Sequence, residues 1–400
     1  MRVLFLTHRL PYAPNRGDRV RAFHIIRALA ARVELELLSL VHDADEEARG
    51  VEMGAQPFRL TTLRVPRLRN HAAAVAALAG TRPLTHVLLD ATGLVPSLTR
   101  IVRDRPPDVV LAYCSGMARL ALAPPLAEYP LVLDLVDVDS EKWRLLAAKS
   151  TWPKRSIYKR EARHLARFER AAATRAHATL VVNSREAHVL HELAPAAAVH
   201  VLPNGVDVAG LRPPGPPAGD PLVIFCGVMN YGPNVDGVLW FAREVWPMVR
   251  AKRPDARFSV VGSSPTPAVQ RLALAGTGID VTGAVPEVQS RLWGAAVSVA
   301  PLRTARGLQN KVLEALAAGL PTVVTEQVFE GLPPEARAGC RVADAPDVFA
   351  SHVLSLLALT GTERRALASA ADLTPLAWEQ QLAPLHGILQ AAAGRGPSEP

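Results

Sequence analysis

Short, nearly uninterrupted apolar runs separated by longer stretches of helical periodicity set the rhythm of this chain. Val3 to Leu6, Leu35 to Val41, Val109 to Tyr113, Leu131 to Val136 and Thr179 to Val182 have the form of strands buried on both faces of a parallel sheet. The helical patterns between them predict covering layers. After Pro203 comes PNGVDVAGLRPPGPPAGDP, where Pro213, Pro214, Pro216, Pro217 and Pro221 exclude regular structure, so a linker is expected over 206–221. The rhythm restarts at Leu222 to Cys226 and continues through Phe258 to Val261, Ile279 to Val281, Val297 to Ala300 and Thr322 to Val324. The predicted fold class is α/β, with two Rossmann-like doubly wound parallel-sheet domains, 1–205 and 222–375, facing across a cleft. A last amphipathic helix over 376–393, carrying Leu376, Trp378, Leu382, Leu385, Ile388 and Leu389, is expected to pack back onto the N-terminal domain, ahead of a frayed tail at 394–400.

Composition narrows the class without choosing a function. The 400 residues exceed the usual reach of one core, and 49% hydrophobic with 20% charged residues describes a folded protein. Cys114, Cys226 and Cys340 lack the spacing of a zinc site or disulfide framework, which predicts a reduced, cytoplasmic setting. The opening MRVLFLTHR ends its apolar run at Thr7, too short for a signal-peptide core, and nothing approaches eighteen apolar residues in a row. Membrane contact is therefore expected to be peripheral. A net charge of +8 favours anionic partners, among which nucleotide phosphates, a lipid diphosphate, an anionic membrane face and nucleic acid all qualify.

The stretch from Ala300 to Val324, APLRTARGLQNKVLEALAAGLPTVV, carries the most chemistry. It reads strand, loop, helix, strand, with Gly307 at the helix entry, Gly319 and Pro321 at its exit, and Leu308, Val312, Leu313 and Leu316 on the apolar face. Arg303, Arg306 and Lys311 crowd an end where the helix dipole is already positive. A diphosphate would balance them, and Glu314, on the Lys311 side by its i, i+3 spacing, would accept the hydroxyls of an attached ribose. The plainer reading is a surface ion pair of Lys311 with Glu314 beside solvated arginines.

The pattern G-x-x-N-K-x-L-E-A-x-A-x-G-x-P-x-V, here Gly307 to Val323, resembles the donor-binding signature of the retaining GT-B glycosyltransferases of family 4. The resemblance extends over nearly the whole chain through GDRVR, DLVDVDSEKW, VVNSREAHVL, VLPNGVD, IFCGVMNYGPNVDGV and VTGAVPEV. It is closest to the sugar transferases associated with PEP-CTERM and exosortase exopolysaccharide systems. The resemblance implies a hexose-type transfer from a nucleoside-diphosphate sugar to a glycan or polyprenyl-linked acceptor, with no metal, no other cofactor and no nucleic-acid partner. It implies a cytoplasmic location at the inner face of the plasma membrane. Glu314 matches the ribose-binding second glutamate of the family's E-x7-E pair, whereas the first glutamate falls at Arg306, a departure. The loop GVMNYGPNVDG lacks the family's Arg and Lys pair, so Lys311 with Arg303 or Arg306 would hold the diphosphate. Asn310, Gly307, Gly227, Asn234, Gly262, Gly283 and Val285 complete the implied donor site. Gly227 and Gly232 allow close backbone approach, or are simply turn glycines.

In the N-terminal half, THRLPYAPNRGDRVR leads into a helix expected to be capped by Asp18, with Arg16, Gly17, Asp18, Arg19 and Arg21 as the acceptor-side loop or a solvated basic helix. DLVDVDSEKW sets Asp134, Asp137, Asp139 and Glu141 after a strand. Extended alternation would send Asp137 and Asp139 to one side. The family's residue beside the anomeric carbon matches Asp137, then Asp139, where a carboxylate orients the acceptor hydroxyl and offsets positive charge on the sugar. Trp152 to His177 is strongly basic with Ile157, Leu165 and Phe168 interspersed. It reads either as an anionic-membrane contact or as a solvated face on which Glu161 and Glu169 pair locally. The twelve histidines show no metal spacing and receive no role. A nicotinamide oxidoreductase is opposed by the lack of G-x-G-x-x-G after either first strand. A nucleotide-sugar epimerase and a non-catalytic sugar-nucleotide sensor stay open as alternatives.

Overall fold

The computed structural model describes residues 1–13, 17–53, 58–215, 220–274, 276–304 and 308–394, with backbone alone at Gly17 and Asp18. The chain forms two compact units, Met1–Asn204 with Gln381–Pro400, and Gly205–Gln380.

The first unit holds strands β1 (Arg2–Thr7), β2 (Glu34–Val41), β3 (Arg59–Arg64), β4 (Val109–Tyr113), β5 (Leu131–Val136), β6 (Ala178–Val181) and β7 (Val199–Val201). They lie in the order β3-β2-β1-β4-β5-β6-β7, and every adjacent pair is parallel. The apolar runs become the inner strands because both faces are covered by helices: all of β4 is buried, whereas edge strand β3 has no buried residue.

The second unit repeats the plan with β8 (Leu222–Cys226), β9 (Arg257–Val261), β10 (Ile279–Gly283), β11 (Val297–Ala300), β12 (Thr322–Val324) and β13 (Cys340–Val342). Their order is β10-β9-β8-β11-β12-β13, again all parallel. Phe225, Phe241, Phe258, Phe349 and Trp246 fill its core, with the Phe241 and Phe258 rings 4.7 Å apart. Each buried aromatic is worth about 2–3 kcal/mol of apolar transfer. Phe241–Val245 winds as a π-helix just ahead of Pro247, which has no N–H to donate and would clash in a regular turn.

Two boundaries differ from the sequence expectation. The stretch read as a linker is built into the second unit from Gly205 onward. Val206 bridges Ala377, the helix Val208–Leu211 is capped by the Asp207 side chain, and Leu211 is buried with its carbonyl accepting from Trp293 Nε1 at 2.7 Å. The prolines mark only the stretch beyond that helix. The single helix expected over 376–393 is three pieces, Thr374–Leu376, Trp378–Gln381 and Ala383–Ala393, with Pro384 in the first turn of the last. Only the last piece lies in the first unit, where it packs on β4 and β5.

Candidate active site

In both sheets the strand order reverses between the first and fourth strands, and ligands of such sheets bind outside the carboxyl ends at that reversal. In the second unit the reversal lies between β8 and β11. Gly227 follows β8, and the helix Asn310–Ala317 follows β11. Lys311, second in that helix, donates from Nζ to Asn234 Oδ1 at 2.6 Å and lies 4.5 Å from the centre of the Phe225 ring. Asn234 is buried and fixed in turn, since its Nδ2 donates to the Val228 carbonyl at 2.9 Å. A methyl at Gly227 would come within 2.7 Å of Asn234 Nδ2 and 3.1 Å of Lys311 Nζ, so glycine is what leaves room for this pair.

The strand-end glycines are locked edge to edge. Gly262, after β9 and at φ +153°, has no room for a Cβ, which would sit 1.7 Å from the Gly227 carbonyl oxygen. Its N–H donates to the carbonyl of Gly283, itself at φ +69°. Val285 packs partly buried against the core just beyond. Glu314 is half-buried one turn after Lys311, and among the described residues neither forms an ion pair. Burial pushes the Glu314 carboxyl above its ordinary value, against the pull of Lys311. Burial pulls the Lys311 ammonium down to about 8, while Cys226 and Glu314 act the other way. Among the described residues one of the three Lys311 donors is occupied and the Glu314 carboxylate has no ion-pair partner, an arrangement able to take an anionic, hydroxyl-bearing ligand.

In the first unit the reversal lies between β1 and β4. His8, just past the end of β1, stacks on Tyr113 at 5.6 Å and places Nδ1 3.4 Å from the Cys114 sulfur. Burial pushes the Cys114 thiol up to about 12, so it is not a thiolate nucleophile. Cys114 stands at φ 70°, ψ 164°, a region that non-glycine residues rarely enter. On the next strand, Val136 at the end of β5 has φ 66°, and Asp137 N–H donates to the Leu135 carbonyl at 2.9 Å. A positive φ closed by an i to i+2 bond is a strained γ-turn. It leaves Asp137 exposed, while Asp139, first in the helix Asp139–Ala148, accepts from Ser115 Oγ at 3.2 Å. Burial raises the Asp139 carboxyl above its ordinary value.

The model of "Glycosyl transferase 4-like domain" matches residues 16–205, and that of "Glycosyl transferases group 1" matches 220–359. The chain is a glycosyltransferase of the GT-B type. A search of curated proteins by sequence finds no match. Among solved structures the fold is similar to sucrose-phosphate synthase from Thermosynechococcus elongatus, with TM-score 0.62 at 14% identity over 99% of this chain and 100% of that one. It is also similar to Anabaena HepE in complex with UDP-glucose, with TM-score 0.56 at 14% identity over 98% of each chain. WaaG, a glycosyltransferase involved in lipopolysaccharide biosynthesis, gives 0.58 at 16% identity over 99% and 100%.

Of the residues expected on the donor side of this glycosyltransferase, Gly227, Asn234, Gly262, Gly283, Lys311 and Glu314 gather in one place. Asn310 is exposed at the helix start and Arg303 is exposed in the loop before it. Arg306, Gly307 and Arg16 lie outside the described residues. Gly232 faces open space and is not needed for close approach.

Several readings of the N-terminal half are corrected. The helix begins at Gly17, so Asp18 lies inside it and not at its cap. Arg19 and Arg21 are not solvated or available cations. Arg19 is buried against the Glu46 carboxylate and donates to Tyr12 Oη at 3.0 Å, and Arg21 is 1% exposed, with Nε 2.7 Å from Asp134 Oδ2. Asp134 points into the core, and Glu141 pairs on the surface with Arg144. Asp137 and Asp139 do not alternate along a strand, because the chain turns at Val136 and becomes helical at Asp139. Glu161 and Glu169 do not sit on a solvated face: Glu161 pairs locally with Arg160 as expected, at 3.5 Å, but is buried and also accepts from Leu84 and Thr85 N–H at 2.7 and 2.8 Å, and Glu169 is buried and accepts from Ser140 N–H at 3.3 Å. The sequence reading missed His8 and Cys114, which lack a spacing motif. Only their place directly after a buried strand could have flagged them.

Proposed function

We propose that this glycosyltransferase is a retaining enzyme that moves a hexose from a nucleoside-diphosphate sugar to a glycan or lipid-linked acceptor in exopolysaccharide synthesis. The observation that carries the reading is the Asn234-anchored Lys311 beside Glu314, which has no ion pair among the described residues, at the start of a helix past the strand reversal. Lys311 and the helix amino end hold the diphosphate, and Glu314 accepts the ribose hydroxyls. The binding of UDP-glucose by the fold relative HepE and the lipopolysaccharide role of WaaG support a sugar-nucleotide donor and a surface-glycan product. No catalytic metal or other cofactor is required, because the cation and helix dipole supply the positive field. Asp137, on its strained turn, orients the acceptor hydroxyl, with Asp139 behind it.

We place the reaction at the cytoplasmic membrane face. Among the described residues no helix is long and apolar enough to cross a membrane. The helix Lys154–Arg175 buries Leu165 and sets Phe168 against His86, so these two apolar residues face inward and do not form a membrane contact. Exposed apolar groups of this unit include Trp152, Leu68 and Val75, at 82%, 90% and 69% exposure. Arg160 ties that helix to the carbonyls of Ala77, Leu78 and Gly80, and exposed Lys154, Arg155 and Lys159 supply the charge for anionic lipid.

The test is a thermal-shift screen with UDP, GDP, ADP and dTDP, followed by nucleotide release from the matching sugar donors with membrane extract as acceptor. Stabilisation by one nucleotide with acceptor-dependent release is expected. Stabilisation with no turnover would replace the enzyme reading by a sensor, and free sugar products without acceptor would replace it by an epimerase.

A further inference from the structure

Asp134 is a carboxylate in the middle of a central strand, 0% exposed, and each of its oxygens has a separate task. Oδ1 accepts the N–H of Val136 at 3.1 Å, the residue whose φ is +66°. Oδ2 accepts Arg21 Nε at 2.7 Å. The Asp134 backbone carbonyl accepts the N–H of Cys114 at 2.7 Å, the other strained residue at this end of the sheet. The β5 to β6 register shifts between Asp134 and Val136, so the ladder skips Leu135 at the point where the γ-turn begins. Arg21 then reaches out of the sheet: its Nη1 donates to the Leu202 carbonyl at 2.9 Å and to Asn204 Oδ1 at 3.1 Å. Asn204 is the residue at which the first unit ends.

A β-branched residue at positive φ costs about 1–3 kcal/mol and persists only where its surroundings over-determine it. Here the surroundings are a buried charge pair. Burial pushes the Asp134 carboxyl above its ordinary value against the pull of Arg21, so removing the guanidinium favours the protonated acid and weakens the hold on Val136 N–H.

We propose that Asp134 and Arg21 are positioning residues that hold the strained turn presenting Asp137, and that Arg21 ties this turn to the chain at 202–204. The inference rests on the role given to Asp137 above, and its test separates the two. Crystal structures of Asp134→Asn and Arg21→Lys come first. The Val136 φ is expected to become negative and Asp137 to move in both; an unchanged turn in both overturns the proposal whatever the activity. A kinetic cycle with UDP-glucose, or with whichever sugar nucleotide the donor screen selects, comes second. Each variant is expected to lower kcat roughly 30-fold with acceptor KM within about threefold, and Asp137→Ala more than about 100-fold. Combining Asp134→Asn with Asp137→Ala should cost nothing beyond Asp137→Ala, whereas multiplying losses would show a general structural role and overturn the inference. Should Asp134→Asn not fold, the same cycle is run with Arg21→Lys. Full turnover in Asp137→Ala would sink the role of Asp137 and leave the structural result standing.

Discussion

The two units solve the same problem, a polar site at the reversal of a parallel sheet, by opposite means. In the first unit the buried charges are engaged: Asp134 with Arg21, Glu46 with Arg9 and Arg19, Glu161, Glu169 and Glu186 with helix-start N–H groups. Its tight backbone is made by Cys114 and Val136, residues that resist the conformation they adopt. In the second unit Lys311 and Glu314 have no ion pair among the described residues, and the close approaches are made chiefly by Gly227, Gly262 and Gly283, which resist nothing. Charge that is already paired fixes a fold. Charge that is left partly unpaired is, on the function proposed above, what binds the donor. The difference teaches that an arginine at a helix start is not by itself a ligand site, because burial and partners decide which task it performs.

The contrast is broken most directly at Arg21. Arg21→Met leaves the Asp134 carboxylate buried and alone, and urea denaturation is expected to show a loss of about 3–5 kcal/mol. A loss under about 1 kcal/mol would mean that the pair carries no more than a surface bridge does.

Glu314→Ala should do the reverse. The melting temperature of the free protein stays level or rises, since a carboxylate that burial destabilises has been removed, while protection by saturating nucleotide disappears. At a ligand concentration near 100 times Kd that protection amounts to about 2.7 kcal/mol. Retained protection in this variant would remove the ribose contact from the donor site.

A pH series sharpens the same distinction. Lys311 is held near 8 against an ordinary 10.5, so its charge fades as pH rises through about 8. Nucleotide affinity, read by calorimetry, is expected to fall roughly tenfold between pH 7 and pH 9. Over the window from about 8 to 10.5 the unfolded chain keeps a proton that the folded one has lost, so this residue makes the free protein more stable as pH rises. Flat affinity across that range would exclude Lys311 from anion binding.

The smallest effect is expected at Glu169, which burial pushes up to about 8 from an ordinary 4.5. The folded state then holds the extra proton, so its contribution is fully present below 4.5 and is lost as pH rises through 8. Glu169→Gln keeps an acceptor for Ser140 and should flatten that decline, with a gain of about 1–2 kcal/mol at pH 8 in denaturation experiments. An unaltered pH dependence would assign the decline to another group.

Much of the molecule is legible in its sequence. The inner strands announce themselves because burial on both faces demands unbroken apolar runs, and the helix Asn310–Ala317 is legible from Val312, Leu313 and Leu316 with Lys311 and Glu314 on its other side. The strands that sequence reading missed, β3, β7 and β13, are all at sheet edges. RLTTLR, VHV and CRV need only one protected side, so polar residues interrupt them and no run forms.

The sequence by itself determined the α/β alternation, the division into two sheets and the cationic helix start with its glutamate, because these depend on local periodicity and on neighbours a few residues apart. Only the tertiary structure decided which charges are free. Arg21 and Asp134 are 113 positions apart and Lys311 and Asn234 are 77 apart. The energy of a charge in a protein is set by what it meets across such distances and by how much water it keeps, and neither is written in the residue itself.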